Sequence, residues 1–73
     1  MTDQLKLNEE IKHLKLLAIL KFGEPSLESC KDVEDNNWYI RGQSRFRYYQ
    51  AGYFMNIKTE KEAWEYLLKK DQL

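Results

Sequence analysis

Residues 36–59 of this 73-residue chain hold Arg41, Arg45, Arg47 and Lys58, contain no acid, and carry seven of the ten aromatic side chains. Guanidinium groups grip phosphate oxygens in a planar fork, and aromatic rings stack on bases, so the mixture suits nucleic acid. Tyr, Trp and Arg also dominate protein–protein hot spots, so it suits a protein partner equally well. Tyrosine is in addition a good strand former, and a solvated sheet face would account for it with no partner at all. The candidate binding residues are Tyr39, Arg41, Arg45, Arg47, Tyr49, Phe54 and Lys58.

Other chemistries find less support. His13 stands with Glu9 one turn before it and lysines around it, the ordinary setting of a surface histidine. Cys30 is the single cysteine, so an intrachain disulfide is excluded, and a Cys30–His13 pair has no third group to orient it. One Cys and one His cannot close a four-ligand zinc site, and Asp32, Glu34 and Asp35 lack the spacing and glycine of a calcium loop. Gly23, Gly42 and Gly52 match no phosphate-cradling loop. Neighbouring carboxylates such as Glu62 and Glu65 lie on one helix surface and make no acid–base pair. No catalytic residue, metal or cofactor is therefore expected, and the chain reads as non-enzymatic.

Twelve acids balance twelve bases, which excludes a global field favouring polyanions. The balance is segregated, however: the net charge is +1 over residues 1–23, −4 over 24–35, +4 over 36–59 and −1 over 60–73. The acidic stretch is expected to be a solvated segment, with docking to a basic partner or an intramolecular counterweight to the arginines as the sharper alternatives. Charges run throughout Met1–Leu20, and the apolar run Leu16–Leu20 is far short of the ~20 residues of a membrane span. A cytoplasmic protein without a membrane partner is the expectation.

The elements that must hold these residues follow from periodicity. Leu7, Ile11, Leu14, Ala18 and Phe22 share one helical face, and Gly23 with Pro25 stops the helix, which predicts a helix over about residues 4–22. Its apolar surface is wider than one stripe, so Leu16, Leu17, Ile19 and Leu20 form a candidate homodimer surface. Residues 24–36 read as an acidic loop or short helix lined by Leu27, Cys30 and Val33, with a poorly formed edge strand as the alternative. From Trp38 the period becomes two. A turn over Gly42-Gln43-Ser44 sets Ile40 opposite Phe46 and Trp38 opposite Tyr48, and Arg41 then faces Arg45. A second turn at Ala51-Gly52 adds a third strand, giving strands over 37–41, 45–50 and 53–57, with Phe54 across from Tyr49. Thr59-Glu60-Lys61-Glu62 is a capping box that opens a helix over 60–70, with Ala63, Trp64, Leu67 and Leu68 inward. The predicted fold is a single α+β domain of α-βββ-α order, a three-stranded antiparallel meander with one face under helices and one open.

Gly52-Tyr53-Phe54 followed by Thr59-Glu60-Lys61-Glu62-Ala63 is similar to a phrase in small plant and phage-integrase DNA-binding domains. In those, a three-stranded sheet enters the major groove and a helix supports it from behind. The resemblance covers Trp38 to Leu68, with a longer gap between Phe54 and Thr59 and no counterpart to the first helix. It implies a DNA-binding sheet, an analogy of fold rather than of site. The expectation is a small binding module whose partner is nucleic acid or a larger protein, acting as an adaptor or inhibitor in the second case.

Overall fold

A computed structural model describes residues 2–43 and 48–71. The order is α1 (Thr2–Phe22), β1 (Glu28–Lys31), β2 (Trp38–Gln43), β3 (Tyr48–Ala51) and α2 (Glu60–Leu68). The three strands form one antiparallel sheet in the order β1-β2-β3, so the fold is α+β with the α-βββ-α order that the sequence predicts. No helix among the described residues is long and apolar enough to cross a membrane.

Two of the strands, β2 and β3, overlap the predicted 37–41 and 45–50, but the remaining strand is not the predicted one. β1 comes from the acidic segment, which takes the edge-strand alternative instead of the favoured loop or short helix, and pairs Glu28 with Arg41 and Cys30 with Tyr39. Its loop is fastened by the Asp32 N–H donating to Asn37 O and the Asn36 N–H to Asp32 O, both at 2.8 Å, while Asn36 turns the chain at φ 58°. Asp32 caps the turn by accepting from the Glu34 N–H at 2.9 Å. The acids Asp32, Glu34 and Asp35 thus sit in a hairpin loop, where short polar side chains hydrogen-bond local backbone.

The predicted third strand, 53–57, is a turn. Gly52 (φ 84°) and Asn56 (φ 54°) take left-handed backbone, and the Met55 N–H donates to Gly52 O at 3.1 Å. The chain then passes the start of β2, where the Trp38 N–H donates to Ile57 O at 2.7 Å. Register differs too. Ile40 pairs with Ala51 and Arg41 with Gln50, five residues from the predicted alignment, and Gly42 is a strand residue instead of a turn residue. An odd slip transfers side chains to the other face of a sheet. Tyr48, expected beneath the helices, is accordingly 53% exposed.

The core lies between α2 and the sheet and between α2 and α1: Ala18, Leu27, Ile40, Ala51, Ile57, Ala63, Trp64 and Leu67 are buried. Ile11, Leu14, Ile19 and Phe22 pack against it. α2 touches all three strands, and α1 packs chiefly on α2. The two helices run in the same sense. Lys61 Nζ meets Glu10 Oε2 at 3.0 Å near the start of α2, and Lys21 Nζ donates to Leu68 O at 2.6 Å at its end. That second contact supplies a cation and a donor to the carbonyl end of a helix, where both are favoured.

The start of α2 is capped as predicted, with Thr59 Oγ1 accepting from the Glu62 N–H at 3.2 Å. Thr59→Ala should lower stability by about 1 kcal/mol, read as a shifted urea midpoint at unchanged slope. No shift of the midpoint would mean that the cap bond does not hold in solution.

Candidate functional site

Side chains alternate across a strand, so the pairings define the face turned away from α2. Glu28 and Cys30 of β1, Tyr39, Arg41 and Gln43 of β2, and Tyr48 and Gln50 of β3 share it. The opposite face belongs to the helices: Ser29 Oγ donates to the Glu60 carboxylate of α2, and Ile40 and Ala51 enter the core.

The uncovered face is aromatic and charge-compensated. Arg41 Nε donates to Glu28 Oε1 across the β1–β2 pair. Its other cross-strand neighbour is Gln50, not an arginine. Gln50 Nε2 donates to the Tyr48 hydroxyl at 3.0 Å. Ser26, Glu28, Arg41, Gly42, Gln43 and Tyr48 line a shallow hollow of about 340 Å³ at this end. The Gln43 N–H donates to Ser26 Oγ at 3.0 Å, which fixes its rim.

At the other end three rings meet edge to face. The centroids of Tyr39 and Tyr53 are 4.9 Å apart and those of Tyr53 and Phe54 are 4.8 Å apart. The turn that replaces the predicted third strand is what brings Tyr53 beside Tyr39. The neighbouring Asp32 carboxylate, by hydrogen bonding and by its charge, holds the Tyr53 phenol above its ordinary pKa. Tyr39 is raised as well, first by burial and then by Cys30, its partner in the register. Phe54 ends the row 89% exposed, a bare ring on the surface.

The sequence-predicted site divides accordingly. Tyr39 and Arg41 lie on the open face, and Phe54 reaches the cluster through Tyr53 rather than across from Tyr49. Tyr49 is registered to Gly42. Arg45 and Arg47 lie outside the described residues, as does Phe46. Lys58 does not join the face: its Nζ donates to Asn37 Oδ1 at 2.6 Å, and Asn37 is buried. It lines a separate groove with Leu7, Ile11, Trp38 and Thr59. Glu28, Tyr48 and Tyr53 were absent from the predicted set. Tyr53 was legible as an aromatic next to Gly52, but nothing local marks Glu28 as the partner of Arg41.

Ionisable groups elsewhere serve the fold. The hydrogen bond and charge of Lys61 hold the Glu10 carboxyl below its usual range, and the Glu34 backbone N–H does the same for Asp32. A carboxylate with a depressed pKa stabilises the fold above its unfolded pKa and ceases to do so as pH falls through the folded value. Stability should therefore decline on acidification between about pH 5 and pH 2, more shallowly in Glu10→Gln than in the wild type. Parallel acid profiles for the two proteins would remove Glu10 from this account. No group of three or more His, Cys, Asp or Glu among the described residues is placed to hold a metal ion.

The chain matches no protein-family model, no curated protein and no solved structure.

Proposed function

We propose that the chain is a small non-enzymatic binding module that docks on a protein partner through the open sheet face. The carrying observation is a surface aromatic row, half-buried at Tyr39 and Tyr53 and bare at Phe54, beside an ion-paired arginine. Tyr39, Tyr53 and Phe54 stand edge to face, Tyr48 is half exposed, and Arg41 is held by Glu28. Rigid rings and hydrogen-bonding amides are what hot spots are made of, and Phe54 is the natural anchor for an apolar pocket on the partner. Gln43, Gln50 and the Tyr48 hydroxyl offer donors and acceptors around it, the composition of a polar rim.

Nucleic acid is the second reading, supported by Arg45 and Arg47 in the segment joining β2 to β3. In the register expected from the sequence, Arg41 opposed to Arg45 is an electrostatic conflict that solvation or an anionic partner would relieve. The observed register removes that conflict by placing Gln50 and Glu28 beside Arg41.

Anisotropy of labelled single-stranded and duplex oligonucleotides separates the two readings. Phosphate binding by three or four cations would weaken with salt at a log–log slope of about −2.7 to −3.6 on duplex and about −2.1 to −2.8 on single strands. The expected result is no such binding at tens of micromolar protein. Salt-sensitive binding lost in a triple variant with Arg41, Arg45 and Arg47 changed to Ala would replace the protein-docking reading with the nucleic-acid one.

A further inference from the structure

α1 has 21 residues and is about 31 Å long, whereas α2, which covers its inner face, has nine and spans about 13 Å. Side chains from Asp3 to Glu9 are all exposed. On the side opposite Ala18, at 100° per residue, Leu5, Glu9, Lys12 and Leu16 fall within a sector of about 60°. Leu5 is 66% and Leu16 52% exposed, and Leu20, 79% exposed, continues the same side. Ile19, predicted with them, packs against the core instead, and Leu17 lies to one flank.

The stripe reads Leu-Glu-Lys-Leu at spacings of four, three and four, the same from either end in its apolar positions and opposite in its charges. We propose that this face pairs antiparallel with the same face of a second copy, about a twofold axis between Glu10 and Ile11. Leu5 then meets Leu16 of the second copy, and Glu9 meets Lys12, each contact occurring twice as an isologous interface requires. Leu20 flanks the seam. Among the described residues neither Glu9 nor Lys12 has an ion-pair partner in its own chain.

Charge and area select this arrangement over others. Parallel pairing would set Glu9 on Glu9 and Lys12 on Lys12. A crossing confined to Leu16, Leu17 and Leu20 would use little more than one turn, whereas a specific interface buries at least about 1,000 Å². The stripe from Leu5 to Leu20 runs about 22 Å along the helix, and the exposed N-terminal turns gain the cover that α2 does not give them. The dimer leaves both open sheet faces uncovered, so it stands or falls separately from the docking reading.

Sedimentation equilibrium of the full chain tests it, with circular dichroism to establish that each variant is folded. A dimer at tens of micromolar is expected for the wild type. Glu9→Lys or Lys12→Glu alone should weaken association about tenfold, because each reverses two symmetry-related contacts. The combined E9K/K12E variant should return to within about threefold of the wild type, and Leu16→Lys should give a folded monomer. A wild-type monomer at hundreds of micromolar would overturn the proposal. So would a dimer indifferent to Glu9→Lys and Leu16→Lys, or a combined variant weaker than both singles.

Discussion

Trp64→Ala should lose about 3–5 kcal/mol, the usual cost of truncating a large buried aromatic. A chain of this size holds only about 4–11 kcal/mol in total, so the loss removes a large share of its stability. Trp64 is 1% exposed and is the largest side chain in the core shared by α2 and the sheet. Its indole N–H is buried with no hydrogen-bond partner among the described residues. That gives the position a second, opposite sensitivity. Trp64→Phe removes the orphan donor, whose desolvation costs about 1–3 kcal/mol, while keeping much of the ring volume. Its net loss should stay below about 1.5 kcal/mol. Urea unfolding followed by far-ultraviolet circular dichroism measures both. Equal losses for Ala and Phe would mean that the indole N–H is satisfied in solution and that ring volume is not what Trp64 contributes.

Gly52→Ala should be the second large effect, about 1–3 kcal/mol. Two costs add there. The backbone is left-handed at φ 84°, and a Cβ would stand 2.8 Å from Ile57 Cδ1 and 3.4 Å from Tyr66 Cδ1. Ile57 is itself buried, so its side chain can yield only by disturbing the core. Gly23→Ala is the matched control. Its φ is 65° with no atom within 4 Å of the added carbon, so it bears only the backbone cost of about 1–2 kcal/mol. Both losses are read from urea midpoints. Equal losses at the two positions would show that the contact with Ile57 relaxes freely.

Gly52 also marks where the sequence misleads. Tyr53-Phe54-Met55-Asn56-Ile57 alternates as a strand would, and alternation is the main sequence signal for one. Two left-handed residues, Gly52 and Asn56, turn the segment instead, and they leave Phe54 and Met55 in solvent. Hydrophobic patterning assumes that apolar residues are buried, and an exposed phenylalanine violates that assumption. β1 fails for the opposite reason. Glu-Ser-Cys-Lys has no apolar alternation to read, and its place in the sheet comes from pairing with β2 across a hairpin.

The helices were legible because their signals are local. Ile11, Leu14, Ala18 and Phe22 recur at helical spacing, and Thr59 with Glu62 caps α2 as their types imply. Within the site, the openness of one sheet face and the places of Tyr39 and Arg41 could be read from the sequence. The acidic stretch could be read as a counterweight to the arginines, but Glu28 could not be singled out as the partner of Arg41. Thirteen residues separate it from Glu28, and only the β1–β2 register joins them. That one contact pairs the charge of Arg41, and it is the reason we propose protein docking ahead of phosphate binding.

The most direct measurement places a photo-crosslinking amino acid at position 48, on the open face, and irradiates cells that express the chain at native level. Discrete protein adducts are expected, and they should disappear in Phe54→Ser, a change at an exposed residue. Adducts to nucleic acid, or protein adducts indifferent to Phe54→Ser, would contradict the docking proposal.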